Sequence, residues 1–294
     1  MATVVAREGV LHTRHLVVVG DSADMSRVSD RSVHLIVTSP PYFDARDYAT
    51  ESQLGHGGTL EEYTEGLAAV FRECYRVLQP ARRLCLNISD LPISGASGVE
   101  WVPLGAIATN VALGVGFGLA DRIVWDKTPK KGFQFGSLPY PPSPLICDSM
   151  EYVLIFRKPG RPDYAYLDPG LKERSRLSPD EYKEFTKQIW VLPRVRLRDN
   201  MDGHIAPFPL DIPMRCIRLY SFVGDTVLDP FAGSGTTGAA ALAAQRNSIM
   251  YEINRDYVRF IRGKLEGEPG LYTAASITYV EAAEETEVAV GGRR

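Results

Sequence analysis

The sequence predicts an α/β protein built on a mainly parallel sheet. Three observations carry that expectation. Short apolar runs such as "HLVVV", "VHLIV", "RLCLNI" and "NSIMY" alternate with stretches whose apolar residues recur at helical spacing. The runs are nearly continuous in Val, Leu and Ile, as strands buried on both faces require. Several of them stop abruptly on a glycine, proline or acidic tip, at Gly20-Asp21, Ser39-Pro40, Asp229 and Glu252. Ligands of parallel α/β sheets bind beyond such carboxyl ends.

Taken in order, "HLVVVGDS" predicts a strand ending at Gly20-Asp21, and "VHLIVTS" a second. Thr59 to Leu78 predicts a helix: Thr59 and Glu62 are spaced as a capping box, and Tyr63, Leu67, Val70, Phe71 and Cys74 share one face. "RLCLNIS" is a third strand, Pro103–Val115 a helix, and "ADRIVWDK" and "EYVLIFRK" two further strands. The segment between those last two is too rich in Pro and Gly for regular structure, and long loops of that kind are often functional. From Arg157 to about Gly203 the composition turns basic, aromatic and proline-punctuated, which marks an inserted module with one helix starting near Ser178-Pro179. The α/β pattern then resumes: a helix near Leu210–Tyr220, the strand "DTVLD", a helix after Gly235, the strand "NSIMYE" and a helix from Asn254 to about Leu265. The residues from Gly267 onward are weakly patterned and read as a peripheral tail.

The 294 residues, 45% hydrophobic and 23% charged, suffice for a substantial core without disulfides. The cysteines, Cys74, Cys85, Cys147 and Cys216, form no CxxC pair and read as reduced core residues; no spacing suggests a metal site. No apolar run is long enough to cross a bilayer and the N-terminus lacks a signal-peptide layout, so a cytoplasmic protein is expected. A net charge of −3 argues against a basic surface everywhere, but Arg157–Arg198 concentrates eleven Lys/Arg against six Asp/Glu.

"VLDPFAGSGTTG" runs strand, acid, glycine turn, helix, with Gly233, Gly235 and Gly238 spelling G-x-G-x-x-G. A triphosphate loop would need a lysine after the glycines, and Thr236-Thr237 stand there. A dinucleotide would meet a carboxylate, Asp229, close to its pyrophosphate. S-adenosylmethionine, with an ammonium, a sulfonium and no phosphate, suits Asp229 better, while Gly233 and Gly235 allow close backbone approach. Glu252 suits ribose hydroxyls in either the dinucleotide or the S-adenosylmethionine case, and Asp21 suits an adenine amine. Each acid taken alone is also an ordinary cap or solvated loop charge.

"TSPPY" at Thr38–Tyr42 is either a stiff turn or a clamp for a flat substrate. As a clamp, Ser39 Oγ and the Pro40 carbonyl would accept both protons of an exocyclic amine, pushing density onto its nitrogen and aiming its lone pair. Pro40 and Pro41 preset the backbone, and Tyr42 can stack on a base taken out of a duplex.

"TSPPY" followed by "DPFAGSGTT" resembles the amino-group DNA methyltransferases in the circularly permuted arrangement called the beta class, in which the catalytic motif precedes the cofactor loop. "GDS" at Gly20–Ser22 and "HIAPFPLDIPMRCIRLYS" also resemble family motifs. The resemblance implies a Rossmann-like S-adenosyl-L-methionine-dependent sheet. Residues 1–156 would form the catalytic half, 157–203 a target-recognition module, 204–266 the cofactor half and 267–294 a tail. It implies cofactor contacts at Asp21, Phe208, Pro209, Asp229, Pro230, Phe231, Gly233, Gly235, Thr236 and Glu252, with catalysis at Ser39, Pro40, Pro41 and Tyr42. Serine before Pro-Pro resembles the cytosine-N4 enzymes more than the adenine-N6 enzymes, although size alone fits either base. The expected partners are double-stranded DNA and a cognate restriction endonuclease, with the enzyme a monomer or homodimer; an RNA methyltransferase is the remote alternative. Arg194, Arg196 and Arg198 alternate at strand spacing, and with Lys130 and Lys131 beside Phe133 they are candidate DNA contacts.

Overall fold

A computed structural model describes residues 11–43, 54, 57–95, 98–127, 149–195, 208–267 and 275–281. The strands in chain order are β1 (Thr13–Val19), β2 (Val33–Thr38), β3 (Leu78–Ile88), β4 (Leu91–Gly95), β5 (Gly98–Val102), β6 (Gly118–Asp126), β7 (Met150–Arg157), β8 (Ile189–Val191), β9 (Thr226–Asp229), β10 (Asn247–Glu252) and β11 (Ala275–Glu281). The helices are α1 (Leu60–Val77), α2 (Leu104–Val115), α3 (Pro169–Arg174), α4 (Pro179–Phe185), α5 (Asp211–Tyr220), α6 (Thr236–Ala243) and α7 (Val258–Glu266), the last preceded by a 3-10 turn at Arg255–Tyr257.

Nine strands form one sheet in the order β11-β1-β10-β9-β2-β3-β7-β6-β8; β4 and β5 pair as a separate hairpin. All neighbours in the sheet are parallel except those of β7, which runs against both β3 and β6. The sheet is therefore mainly parallel, as expected. The carboxyl ends of β1, β2, β3, β6, β9 and β10 and the start of β7 share one edge.

Helices cover both faces. α1 and α2 bury Tyr63, Leu67, Phe71, Leu104 and Ala108 against Ile36, Leu84, Leu86 and Leu228. On the other face α5 and α6 bury Ile212, Cys216, Ile217 and Ala240 against Leu35, Val37, Cys85 and Val227. A third cluster packs Ile261 and Leu265 of α7 and Leu242 of α6 with Val17, Met250 and Tyr279. Cys74, Cys85 and Cys216 are free and buried; Cys147 lies outside the described residues. The α1 start is as its sequence predicts: Thr59 Oγ1 accepts from the Glu62 N–H and Glu62 answers on the Thr59 N–H, a cap of about 1 kcal/mol.

Three findings differ from the sequence expectation. The weak pattern after Gly267 contains β11, which extends the sheet beyond β1 with a seven-residue parallel register. Within the basic segment, β8 joins the far edge of the same sheet beside β6, and just past its end the Leu192 carbonyl accepts from the Trp125 indole. Arg194, expected on a strand, is instead an exposed residue beyond β8, which ends at Val191. Pro193 explains the stop, because it has no N–H to offer a neighbouring strand.

Candidate active site

Two loops meet at the carboxyl edge. β9 ends on Asp229, Pro230 and Phe231 follow, and Gly233 (φ 53°) and Gly235 (φ 81°) turn the chain into α6. Both φ values lie where side chains are rarely accommodated. A Cβ on Gly235 would also stand 3.1 Å from the Ile261 Cα, and one on Gly238 would overlap the Met250 thioether. Gly238 thus serves the packing of α6 on β10, while the first two glycines shape the loop. Lys264 of α7 braces this loop from behind: its ammonium donates to Ser234 Oγ at 2.6 Å and Thr236 Oγ1 at 3.1 Å.

β2 and β9 are adjacent, so the proline loop lies one strand spacing from the glycine loop, about 4.8 Å. The buried Thr38 hydroxyl donates to Asp229 Oδ1 at 2.6 Å, and the Phe231 N–H donates to the same oxygen at 3.0 Å. Burial pushes the Asp229 carboxyl up to about 6, against the pull of hydrogen bonds from Thr38, Thr237 and Phe231. Glu252, at the end of β10, accepts from the Gly233 N–H at 2.7 Å and the Asn254 N–H at 2.8 Å. Burial raises it to about 7, those N–H bonds lower it, and the Asp229 charge adds to the rise. Among the described residues, no ion pair joins either acid. Two buried carboxylates without a counter-cation favour a ligand that brings positive charge and hydroxyl donors. That is the chemistry of a sulfonium nucleoside bearing a free amino acid, and the residues present fit such a group.

Asp21, beyond β1, is exposed, and its side chain accepts from the Ala23 N–H at 2.8 Å. Its neighbour Gly20 donates to the Glu252 carbonyl at 2.9 Å, which brings this loop beside the acid. Pro209 is buried and Phe208 half-buried against the α5 face of the core. Pro230 is buried, Phe231 half-buried, and Thr236 is 9% exposed. Pro40 is buried; Ser39, Pro41 and Tyr42 are half-buried. The structure thus gathers Ser39–Tyr42, Asp229–Gly235 and Glu252 on one edge. Arg194 stands apart on the segment after β8. Lys130, Lys131, Phe133, Arg196 and Arg198 lie outside the described residues.

Sequence reasoning missed Thr38 as the link between the loops, and Lys264 as the brace. It also missed a polar group behind Tyr42: the phenol donates to Glu151 Oε2 at 3.0 Å, the Asn87 amide donates to the same oxygen at 2.7 Å, and Lys127 pairs with Oε1 at 3.2 Å. The signal in the sequence was weak: Glu151 opens "EYVLIFRK", and Asn87 and Lys127 sit near the ends of "RLCLNIS" and "ADRIVWDK", as strand-end polar residues commonly do.

Residues 33–262 match the family model described as DNA methylase, the N6/N4 methyltransferases. The type II methyltransferase M.MjaI of Methanocaldococcus jannaschii is 32% identical over 278 residues, covering 86% of this chain and 91% of that protein. The type II methyltransferase M.MthZI of Methanothermobacter thermautotrophicus is 30% identical, covering 87% and 77%. The Thermus thermophilus protein TTHA0409, solved in complex with S-adenosyl-L-methionine, superposes with a TM-score of 0.72 at 32% identity over 90% of this chain and 99% of that one. The PvuII cytosine-N4-specific DNA methyltransferase shares the fold, with a TM-score of 0.63 at 19% identity. With the proline loop ahead of the glycine loop on adjacent strands and these matches across most of its length, the chain belongs to the DNA methylase family, as a beta-class amino-group methyltransferase.

Proposed function

We propose that the protein is a site-specific DNA methyltransferase that moves a methyl group from S-adenosyl-L-methionine to the exocyclic N4 of cytosine in double-stranded DNA. The observation that carries this reading is the Thr38–Asp229 hydrogen bond. It fixes the amine-orienting loop against the loop suited to a cationic cofactor.

Asp229, Phe231, Gly233, Gly235 and Glu252, with Asp21 and the Phe208-Pro209 turn, would hold S-adenosyl-L-methionine, which supplies a methyl group on a positively charged sulfur. Ser39 Oγ and the Pro40 carbonyl accept the two amine protons and point the nitrogen lone pair at that methyl group. Pro40 and Pro41 keep those acceptors in place. Tyr42 stacks on the ring and offsets part of the cost, a few kcal/mol, of flipping it out of the duplex. After transfer the nitrogen is acidic and releases its proton to water, so a strong base is unnecessary.

Serine before Pro-Pro, which resembles the cytosine-N4 enzymes more than the adenine-N6 enzymes, supports the cytosine reading. Adenine-N6 is the second reading: the DNA adenine methyltransferase YhdJ of Escherichia coli is 28% identical over 82% of this chain. The type II relatives suggest a cognate endonuclease as functional partner. The basic segment around Arg194, Arg196 and Arg198, with Lys130 and Lys131, supplies phosphate and base contacts in this reading.

The test is to incubate the full chain with plasmid DNA and methyl-labelled donor, then identify the labelled nucleoside by mass. N4-methyldeoxycytidine is the expected product, and Ser39→Ala should lower its rate about 100-fold, the scale of losing one oriented acceptor. N6-methyldeoxyadenosine would transfer the mechanism to the other base. Label found only in RNA would overturn the reading.

A further inference from the structure

The group behind Tyr42 is built from three strands. Asn87 lies in β3, one residue past the Thr38–Leu86 pair, and so stands level with Ser39, the residue that follows β2. Glu151 lies at the start of β7 and Lys127 follows β6. Asn87 is 4% and Lys127 7% exposed, so the cluster is shielded and its hydrogen bonds are strong.

The hydrogen-bonding roles are forced. Glu151 pairs with the Lys127 ammonium at 3.2 Å as a carboxylate, and a carboxylate only accepts. Its Oε2 takes the Tyr42 phenol and the Asn87 amide together. The Asn87 nitrogen must therefore face Glu151, and its oxygen must face away. That oxygen is buried and has no hydrogen-bond partner among the described residues.

We propose that Glu151 is the positioning residue of the target-base pocket. It holds the Tyr42 ring in its stacking orientation. Asn87 braces the same pair: its amide donates to Glu151 Oε2 and stands 3.4 Å from the Tyr42 hydroxyl oxygen. This inference rests on the proposed methyl transfer to a flipped base.

The experiment uses the full chain and its Tyr42→Phe, Glu151→Gln, Asn87→Ser and Tyr42→Phe/Glu151→Gln variants. Cofactor affinity is measured by calorimetry, and methyl transfer to plasmid DNA as separate kcat and KM values. Base extrusion is followed by 2-aminopurine fluorescence at the methylated position. Glu151→Gln should keep wild-type cofactor affinity, lower the thermal midpoint because it removes the carboxylate paired with buried Lys127, raise KM for DNA about 10-fold and lower the fluorescence change. Asn87→Ser, which withdraws the amide from Glu151 and Tyr42, should raise KM by about 3-fold. Tyr42→Phe should cost about 10-fold alone but less than about 3-fold when Glu151→Gln is already present, because the two remove the same hydrogen bond. Additive losses in the double variant, or single variants with wild-type KM and fluorescence, would overturn the inference even while the enzyme methylates DNA. If Glu151→Gln fails to fold, Tyr42→Phe and Asn87→Ser decide by the same KM and fluorescence criteria. A wild-type protein that binds the cofactor yet modifies no DNA would instead overturn the underlying reading, and this inference with it.

Discussion

Asp225 and Asp229 flank the same four-residue strand, are each 1% exposed, and live in opposite electrostatic circumstances. Asp225, at the amino end, is saturated. Arg82 pairs with it at 3.3 Å, the Tyr166 phenol donates at 2.7 Å, and the Phe222 N–H donates at 2.9 Å. Arg82 in turn lies over the Tyr164 and Phe222 rings. This closed knot ties the segment after β7 to the floor of the sheet. Asp229, at the carboxyl end, receives hydroxyl and N–H donors but, among the described residues, no cation. One buried acid has its countercharge built into the chain; the other, in the proposed reading, meets its countercharge in the bound cofactor. In that reading the difference separates a structural carboxylate from a functional one more clearly than burial does.

The comparison is broken most sharply by removing the charge at each end. Asp229→Asn should abolish methyl transfer, by at least about 1,000-fold, and remove measurable cofactor binding while the protein stays folded. Asp225→Asn should do the reverse. Stranding the buried Arg82 costs about 3–5 kcal/mol, a fall of roughly 10 °C in thermal midpoint, with near-normal kcat in the folded fraction. If Asp229→Asn binds the donor normally, the functional half of the contrast fails.

The next effect in size is on pH. Asp229 and Glu252 have carboxyls raised to about 6 and about 7. For a raised carboxylate, the neutral folded form is the unstrained one. Its stabilising contribution is complete below the ordinary carboxylate range and is lost as pH rises through about 6 and 7. A cationic ligand requires the ionised forms. The free protein should therefore lose thermal stability as pH climbs from about 5 to 8, while cofactor affinity rises by about 10-fold or more. Titration calorimetry at several pH values checks this, and affinity independent of pH would contradict it.

Thr38→Val sharpens the contrast with the smallest change. It keeps the shape of the side chain and removes the donor that lowers the Asp229 pKa. Cofactor affinity at neutral pH should weaken about 3- to 10-fold and recover at higher pH. A loss that persists at high pH would point to packing rather than charge.

Strand-tip acids and the glycine loop make β9 and β10 legible in the sequence, because local chemistry writes them: Asp229 precedes a turn that only glycine makes easily. The Thr59–Glu62 cap is legible for the same reason. The saturated knot is not, since Arg82 and Asp225 lie 143 residues apart and neither carries a local pattern. Glu151 is hidden because a charged residue opening "EYVLIFRK" is what any strand end looks like. β8 is three residues long, and β11, an edge strand with only Tyr279 buried, shows too little apolar run to announce itself.

The position of β9 has a consequence for synthesis. It is inserted between β10 and β2, and β1 reaches the sheet's centre only through β10. A nascent chain that stops short of β9 carries "TSPPY" but has neither the strand that anchors Thr38 nor the acid it bonds. In the proposed reading, methyl transfer is expected only once the segment bearing β9 and β10 has been made and folded. Proteolytic fragments ending before β9 are expected to be inert toward both cofactor and DNA, which limited digestion with a binding assay would check. A half-built copy of this enzyme is therefore silent rather than unselective.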